Sequence, residues 1–246
     1  MNRLSLIAIV LTAALAGTSV SAGVILSEDW ESGTDGWAAV GTGPYPTLST
    51  DESVSGNCSL RTADNMFASS TNAMDYQLSS ETPENWTAAW YFYDTGATRE
   101  YLQLYSYDAD NTLQQLICLG VYGAGDVSKY SYRVAFGSGL GTGGWGDTTV
   151  DRTNNVWHAM RIQQTYNDGD PTATLDFYVD GMLGATATTT AVYGVSKVRV
   201  GSALTNGGRG VYFDDIVLSA VPEPGSMLAL GTGLLGLFGF IRRRRA

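Results

Sequence analysis

From residue 24 to residue 219 the chain is cut into short runs in which apolar and polar residues alternate, each closed by Gly, Asp, Asn or Ser. A period of two sends successive side chains to opposite faces of a strand, and no window carries the 3.6-residue stripe of a helix. The runs 24–29, 59–62, 75–79, 87–93, 100–107, 115–121, 131–136, 157–165, 173–179, 196–201 and 211–219 are rich in aromatic and β-branched residues and are the expected strands. Asp180-Gly181 signals a tight hairpin, and residues 166–171 a longer polar turn. Many short strands at this spacing, with no internal repeat, predict one all-β sandwich or barrel rather than βαβ units.

Both ends of the chain read as addresses. Arg3, the apolar stretch 4–16 and Val20-Ser21-Ala22 have the order of a secretory signal peptide, so residues 1–22 are expected to direct export. At the other end Pro222-Glu223-Pro224 precedes the uncharged stretch 225–241 and then Arg242-Arg243-Arg244-Arg245. Seventeen residues sit at the lower limit for a membrane-spanning helix, and the terminal arginines are expected to stay cytoplasmic. The three parts in this order resemble the PEP-CTERM sorting signal of Gram-negative bacteria. That resemblance implies an exosortase as partner, a membrane protease-transpeptidase acting near Pro222-Glu223-Pro224. It also implies transient anchoring in the inner membrane, then release to the cell surface or extracellular matrix. A plain membrane anchor would need only the apolar stretch and the arginines.

The body between these ends, residues 23–220, carries nine basic and 23 acidic residues, a net charge of −14. Such a surface argues against nucleic acid as a partner and disfavours anionic polymers in general. Within the body, Trp157-His158-Ala159-Met160-Arg161-Ile162, Leu175-Asp176-Phe177-Tyr178-Val179-Asp180-Gly181, Val198-Arg199-Val200-Gly201-Ser202 and Phe213-Asp214-Asp215-Ile216-Val217-Leu218 follow one another. This succession resembles the concanavalin A-like, LamG-type jelly-roll β-sandwich. The opening 29–37 and the segment 55–61 are similar to the start of family 4/9-type carbohydrate-binding modules. Both resemblances imply a jelly roll, with carbohydrate binding among the actions open to it.

Glycosidases on this fold, as the resemblance implies, carry a Glu-x-Asp-x-x-Glu strand that sets two carboxylates about 5 Å apart. The chain has no such strand; Asp176 and Asp180 share a face, but Asp180 belongs to the turn. There is no G-x-S-x-G elbow, and the one histidine, His158, follows Trp157 inside a strand, where a structural role is expected. The expected action is therefore non-catalytic, with a secreted polysaccharide hydrolase or lyase as the alternative. The resemblance further implies a structural calcium ion tying the first strand to the last through Glu31 and Asp215. Adjacent Asp214 and Asp215 should point to opposite faces, so only one can serve such a site; the alternative is that Asp214 or Asp29 is simply a solvent-facing edge charge. For sugar binding, alternation sets Tyr101, Gln103, Tyr105 and Tyr107 opposite Leu102 and Leu104, and Tyr91 and Tyr93 opposite Trp90 and Phe92. If the leucines, Trp90 and Phe92 are core, these tyrosines form exposed rings for polysaccharide, with Trp145 in the Gly-rich loop 139–146 as a further platform. Cys58 and Cys118 allow one disulfide in an exported chain.

Overall fold

The computed structural model describes residues 23–41, 43–64, 72–123, 125–137, 140–202 and 209–221. The expected signal peptide, Pro222, Glu223, Pro224, the helix 225–241 and Arg242 to Arg245 lie outside the described residues. Fifteen strands are described: β1 Val24–Glu28, β2 Trp37–Val40, β3 Thr47–Ser49, β4 Ser59–Arg61, β5 Asn72–Gln77, β6 Trp86–Tyr93, β7 Arg99–Tyr107, β8 Leu113–Tyr122, β9 Lys129–Phe136, β10 Thr142–Asp151, β11 Trp157–Thr165, β12 Thr174–Val179, β13 Met182–Thr188, β14 Lys197–Ser202 and β15 Tyr212–Ala220. They form two antiparallel sheets, and the described residues contain no α-helix. The first sheet runs β13-β12-β11-β6-β15-β4-β3, with β1 also on β15; the second runs β10-β9-β8-β7-β14-β5-β2.

One hydrophobic core lies between the sheets. Trp90 and Phe92 of β6, Leu102 and Leu104 of β7, Ile162 of β11, Phe177 of β12 and Phe213 of β15 all pack into it, each at most 2 % exposed. Phe92 and Phe213 meet edge to face, with centroids 5.4 Å apart. Such a pair adds roughly 0.5–1.5 kcal/mol to what its burial already contributes. The alternating residues of β6, β11 and β12 stand outward and are more exposed, the pattern of a sheet with one wet face.

The second sheet departs from that pattern. β7 and β8 are buried on both faces over most of their length. On the side away from the main core, Tyr101, Tyr105, Leu116 and Cys118 form a second cluster, with Tyr107, Leu113, Tyr122, Leu140 and Trp145 packed against it. Tyr101 and Tyr105 are 2 % and 7 % exposed, so the expectation that every outward tyrosine of β7 is open to solvent is corrected. Central strands of a sheet collect neighbours on both sides, and here bulky side chains from β8, β10 and β14 lie over β7.

The segment expected to be a Gly-rich loop at 139–146 is largely strand. β10 begins at Thr142 and pairs with β9, Trp145 standing opposite Arg133. Close approach to β9 requires a glycine at Gly143. A Cβ on Gly143, whose φ is +89°, would collide with the Val134 carbonyl oxygen, and one on Gly146 would meet the Tyr132 ring at 2.8 Å. Gly therefore marks contact with β9 at this point rather than absence of a strand.

Candidate functional site

The segment that crosses from the second sheet to the first, between β10 and β11, is fixed by polar groups. Arg152 bridges to Asp94, and the Tyr130 hydroxyl donates to the Thr153 carbonyl. His158 stands between the Thr153 carbonyl, 2.9 Å from Nε2, and the Asp180 carboxylate, 2.8 Å from Nδ1. The Asp180 carboxylate also accepts the Ala159 N–H. These contacts place His158 and Asp180 in the scaffold.

Glu31 and Asp215 converge on one loop, residues 53–58, but as its fasteners. Glu31 Oε1 accepts the N–H groups of Asn57 and Cys58 at 2.7 and 2.6 Å, and Asp215 Oδ1 accepts the Ser55 hydroxyl at 2.7 Å. Asp214 Oδ2 takes the Val54 and Ser55 N–H groups. Burial pushes the Asp214 carboxyl above the usual carboxylate range, against the lowering pull of these amides. The strict alternation expected at Asp214 and Asp215 fails because β15 bulges between Asp214 and Val217, with Asp215 at φ +47°. Asp214 is accordingly fully buried rather than an edge charge. Among the described residues no three His, Cys, Asp or Glu side chains gather as a metal shell. Glu31 and Asp215 each spend one carboxylate oxygen on this loop, Glu31 on backbone amides and Asp215 on the Ser55 hydroxyl.

The expected disulfide is also corrected: Cys58 and Cys118 are both free thiols. Cys58 packs against the core between the sheets, while Cys118 sits on the far side of the second sheet beneath the tyrosines. The parity of β8 turns Cys118 away from the core on which Cys58 rests. Burial pushes the Cys118 thiol up to about 12, which leaves it protonated and unreactive.

The tyrosine candidates fall on two opposite faces. Tyr91 and Tyr93 belong to the first sheet. Tyr93 is wedged between Trp157 and Tyr212, with centroids 5.4 and 5.6 Å away. Tyr91 is exposed and borders a shallow groove of about 510 Å³ with Ala89, Ala159, Arg161 and Tyr178.

Tyr105, Tyr107 and Trp145 belong to the second sheet, where the structure adds residues that alternation alone does not single out. Tyr122 of β8 stacks on Trp145 with centroids 4.0 Å apart and planes 4° from parallel. Tyr101 meets Trp145 from below at 4.9 Å. Further along, Tyr105 and Tyr107 stack at 6.3 Å, with Lys197 Nζ 4.2 Å from the Tyr105 centroid. Asp75 pairs with Lys197 and, through both carboxylate oxygens, with Arg199. The Tyr105 hydroxyl donates to Gln103 Oε1 at 2.8 Å, and Gln103 donates to the Gly201 carbonyl. Burial raises both the Tyr101 and Tyr105 hydroxyls well above the usual tyrosine range. The face is therefore a pre-set aromatic surface with fixed polar groups, of which Trp145, Tyr122 and Tyr107 are the half-buried rings.

This architecture defines a jelly-roll-like β-sandwich that carries an aromatic outer face. The family model of the PEP-CTERM protein-sorting motif matches residues 220–245, which marks the chain as an exported protein sorted at the membrane by an exosortase. No curated protein matches the chain. Among solved structures, the chain is similar to the endo-β-1,4-glucuronan lyase of the fungus Trichoderma reesei, with TM-score 0.57 and 15 % identity over 80 % of this chain and 95 % of that one. The cellulose-induced protein Cip1 gives 0.53 and 16 % over 80 % and 97 %. The CBM2 module of the evolved Dit protein of Lactobacillus casei BL23 phage J-1 gives 0.50 and 12 % over 82 % and 98 %. At these identities the likeness is one of fold.

Proposed function

We propose that this chain is a surface or extracellular-matrix protein that binds polysaccharide without acting on it, through the outer face of its second sheet. Export by a signal peptide, passage through the inner membrane on the helix 225–241 and release by exosortase complete the reading. A concanavalin A-like body suits it. The Trp145–Tyr122 stack carries the proposal: saccharide C–H faces pack on aromatic surface, and hydroxyls find fixed polar partners nearby. A non-catalytic action is supported by the state of the groups on this face. The Tyr101 and Tyr105 hydroxyls and the Cys118 thiol are all raised by burial, and Lys197 and Arg199 are engaged by Asp75. The two hydroxyls and the thiol are thereby held away from proton exchange near neutral pH. The similarity to structures described as a lyase and as a carbohydrate-binding module is compatible with a glycan ligand.

Trp145→Ala is expected to weaken binding of the full-length protein to polysaccharide at least about tenfold in affinity electrophoresis, with Trp145→Phe close to wild type. Unchanged binding in Trp145→Ala would move the ligand elsewhere. Release of unsaturated or reducing sugar by the wild type would make the protein an enzyme. For sorting, mass spectrometry of the protein from its native host should find a C-terminus near Pro222-Glu223-Pro224. A mature chain that still ends in Arg242 to Arg245 would end the exosortase part.

A further inference from the structure

The basic residues of this acidic body are not distributed as its charge would suggest. With 23 acids for nine bases, nearly every cation should find a carboxylate. Five do: Arg61, Lys129, Arg152, Lys197 and Arg199 are all ion-paired. Of the other four, Arg161 lies on Tyr178 on the first sheet, and Arg209 lies close enough to Asp64 to act on its charge. The remaining two, Arg99 and Arg133, share one place. Arg99 stands opposite Tyr122 across β7 and β8, its Cζ 5.2 Å from that ring; Arg133 stands opposite Trp145 across β9 and β10, 5.9 Å from it. Neither has a carboxylate or hydrogen-bond partner among the described residues. Arg133 Nε is moreover buried with its N–H unsatisfied. A buried guanidinium N–H without an acceptor is costly, so the position of Arg133 calls for an explanation that its neighbours in the fold do not give.

Resting on the polysaccharide-binding reading of this same face, we propose that its ligand is an anionic glycan, one that carries carboxylate or sulfate groups, held by Arg99 and Arg133 on either side of the Tyr122–Trp145 stack. A guanidinium accepts a planar carboxylate or a sulfate through two parallel N–H donors, which a neutral hydroxyl cannot match. The rings supply apolar contact to the sugar and keep the guanidiniums partly dehydrated, which strengthens both interactions. The domain's net charge of −14 does not oppose this. An acidic surface repels an anionic chain everywhere except at the face where two cations stand unneutralised, so charge orients the encounter. The expectation from overall charge, that anionic polymers are disfavoured, holds for the molecule as a whole and is inverted locally.

The test uses the full-length protein in mild detergent against polygalacturonate, dextran sulfate and neutral dextran and xylan, each at low and high salt. Expected are binding to at least one of the charged polymers, weakening at high salt, and a loss of about tenfold or more in Arg99→Gln and Arg133→Gln. Arg161→Gln, on the opposite sheet, should bind as wild type. Polygalacturonate alone or dextran sulfate alone would assign the charge to carboxylate or to sulfate. Unfolding midpoints of both arginine variants should match wild type, and Arg133→Lys, which keeps the charge but loses the fork, should recover only part of the binding. Equal, salt-insensitive binding to neutral polymers, unaltered in the two variants, would overturn the charge inference and leave the polysaccharide reading in place. Failure to bind any of the polymers would overturn both.

Discussion

Arg152→Met is expected to cost the protein about 3–5 kcal/mol of folding stability at neutral pH, read from urea unfolding. Asp94, just past the end of β6, is fully buried, and Arg152 follows β10 with its side chain 9 % exposed. The pair is bidentate: Nε donates to Oδ2 at 2.5 Å and Nη2 to Oδ1 at 2.7 Å. Nη2 also donates to the Ala97 carbonyl, and Asp94 Oδ1 accepts the Gly96 N–H. The pair therefore fastens a strand of the first sheet to the end of a strand of the second. Methionine fills much of the volume but leaves a carboxylate with no countercharge in a buried site, and that uncompensated charge costs more than the altered packing. Asp94→Asn in the same background should restore part of the loss, because the amide has no charge to strand and keeps the hydrogen bond to Gly96. A double-mutant cycle then gives a coupling well above that of an exposed pair. If Arg152→Met unfolds within about 1 kcal/mol of wild type, the bridge is no stronger than a surface contact.

Much of this architecture is legible in the sequence because burial on one face forces alternation. Residues 157–165 show it cleanly, and β11 spans the same residues. β6 and β15 begin and end within a residue of expectation for the same reason. The strands that escape are those whose sequence reports a different constraint. β10 reads as a loop because it is Gly-rich, Gly143 answering the close approach of β9, and β13 follows Asp180-Gly181 as a Thr- and Ala-rich edge with little apolar signal. β2 and β3, with four and three residues, are too short to show a period.

Site residues are legible only as far as one strand can tell them. Alternation correctly separates Tyr101, Tyr105 and Tyr107 from Leu102 and Leu104. What covers the tyrosines comes from β8, β10 and β14, and the register that brings Tyr122 onto Trp145 is not contained in either segment alone. Likewise the bulge at Asp214 and Asp215 breaks the alternation rule at a place where no glycine or proline announces it. Arg99 and Arg133 are hidden by the reverse problem: average charge masks two cations that have no ion-pair partner among the described residues, although Glu100 follows Arg99 in the chain.

The stability of the protein should fall as pH rises through a window opened by Glu100, and Glu100→Gln should remove that part of the pH dependence. Glu100 lies at the start of β7 on the inward side, only 4 % exposed. Its oxygens accept from Asn72 Nδ2 and the Ser202 N–H, both at 3.1 Å. Burial drives its carboxyl well above the ordinary value of 4.5, and the hydrogen bonds from Ser202, Thr62 and Asn72 offset only part of that rise. The folded protein therefore keeps a proton that the unfolded chain releases near pH 4.5. Between those two values the native state binds one proton more, so stability declines with rising pH by about 1.4 kcal/mol per pH unit from this group. Its full contribution is present below the unfolded value and is lost as pH climbs to the folded one. Glutamine has no proton to lose; replacing a hydrogen-bonding oxygen by an amide shifts the whole curve by roughly 0.5–1.5 kcal/mol without tilting it. Urea midpoints for wild type and variant, taken from acid to alkaline pH, should therefore converge or cross as pH rises. Parallel curves would mean that Glu100 ionises in place and that Ser202, Thr62 and Asn72 hold a carboxylate.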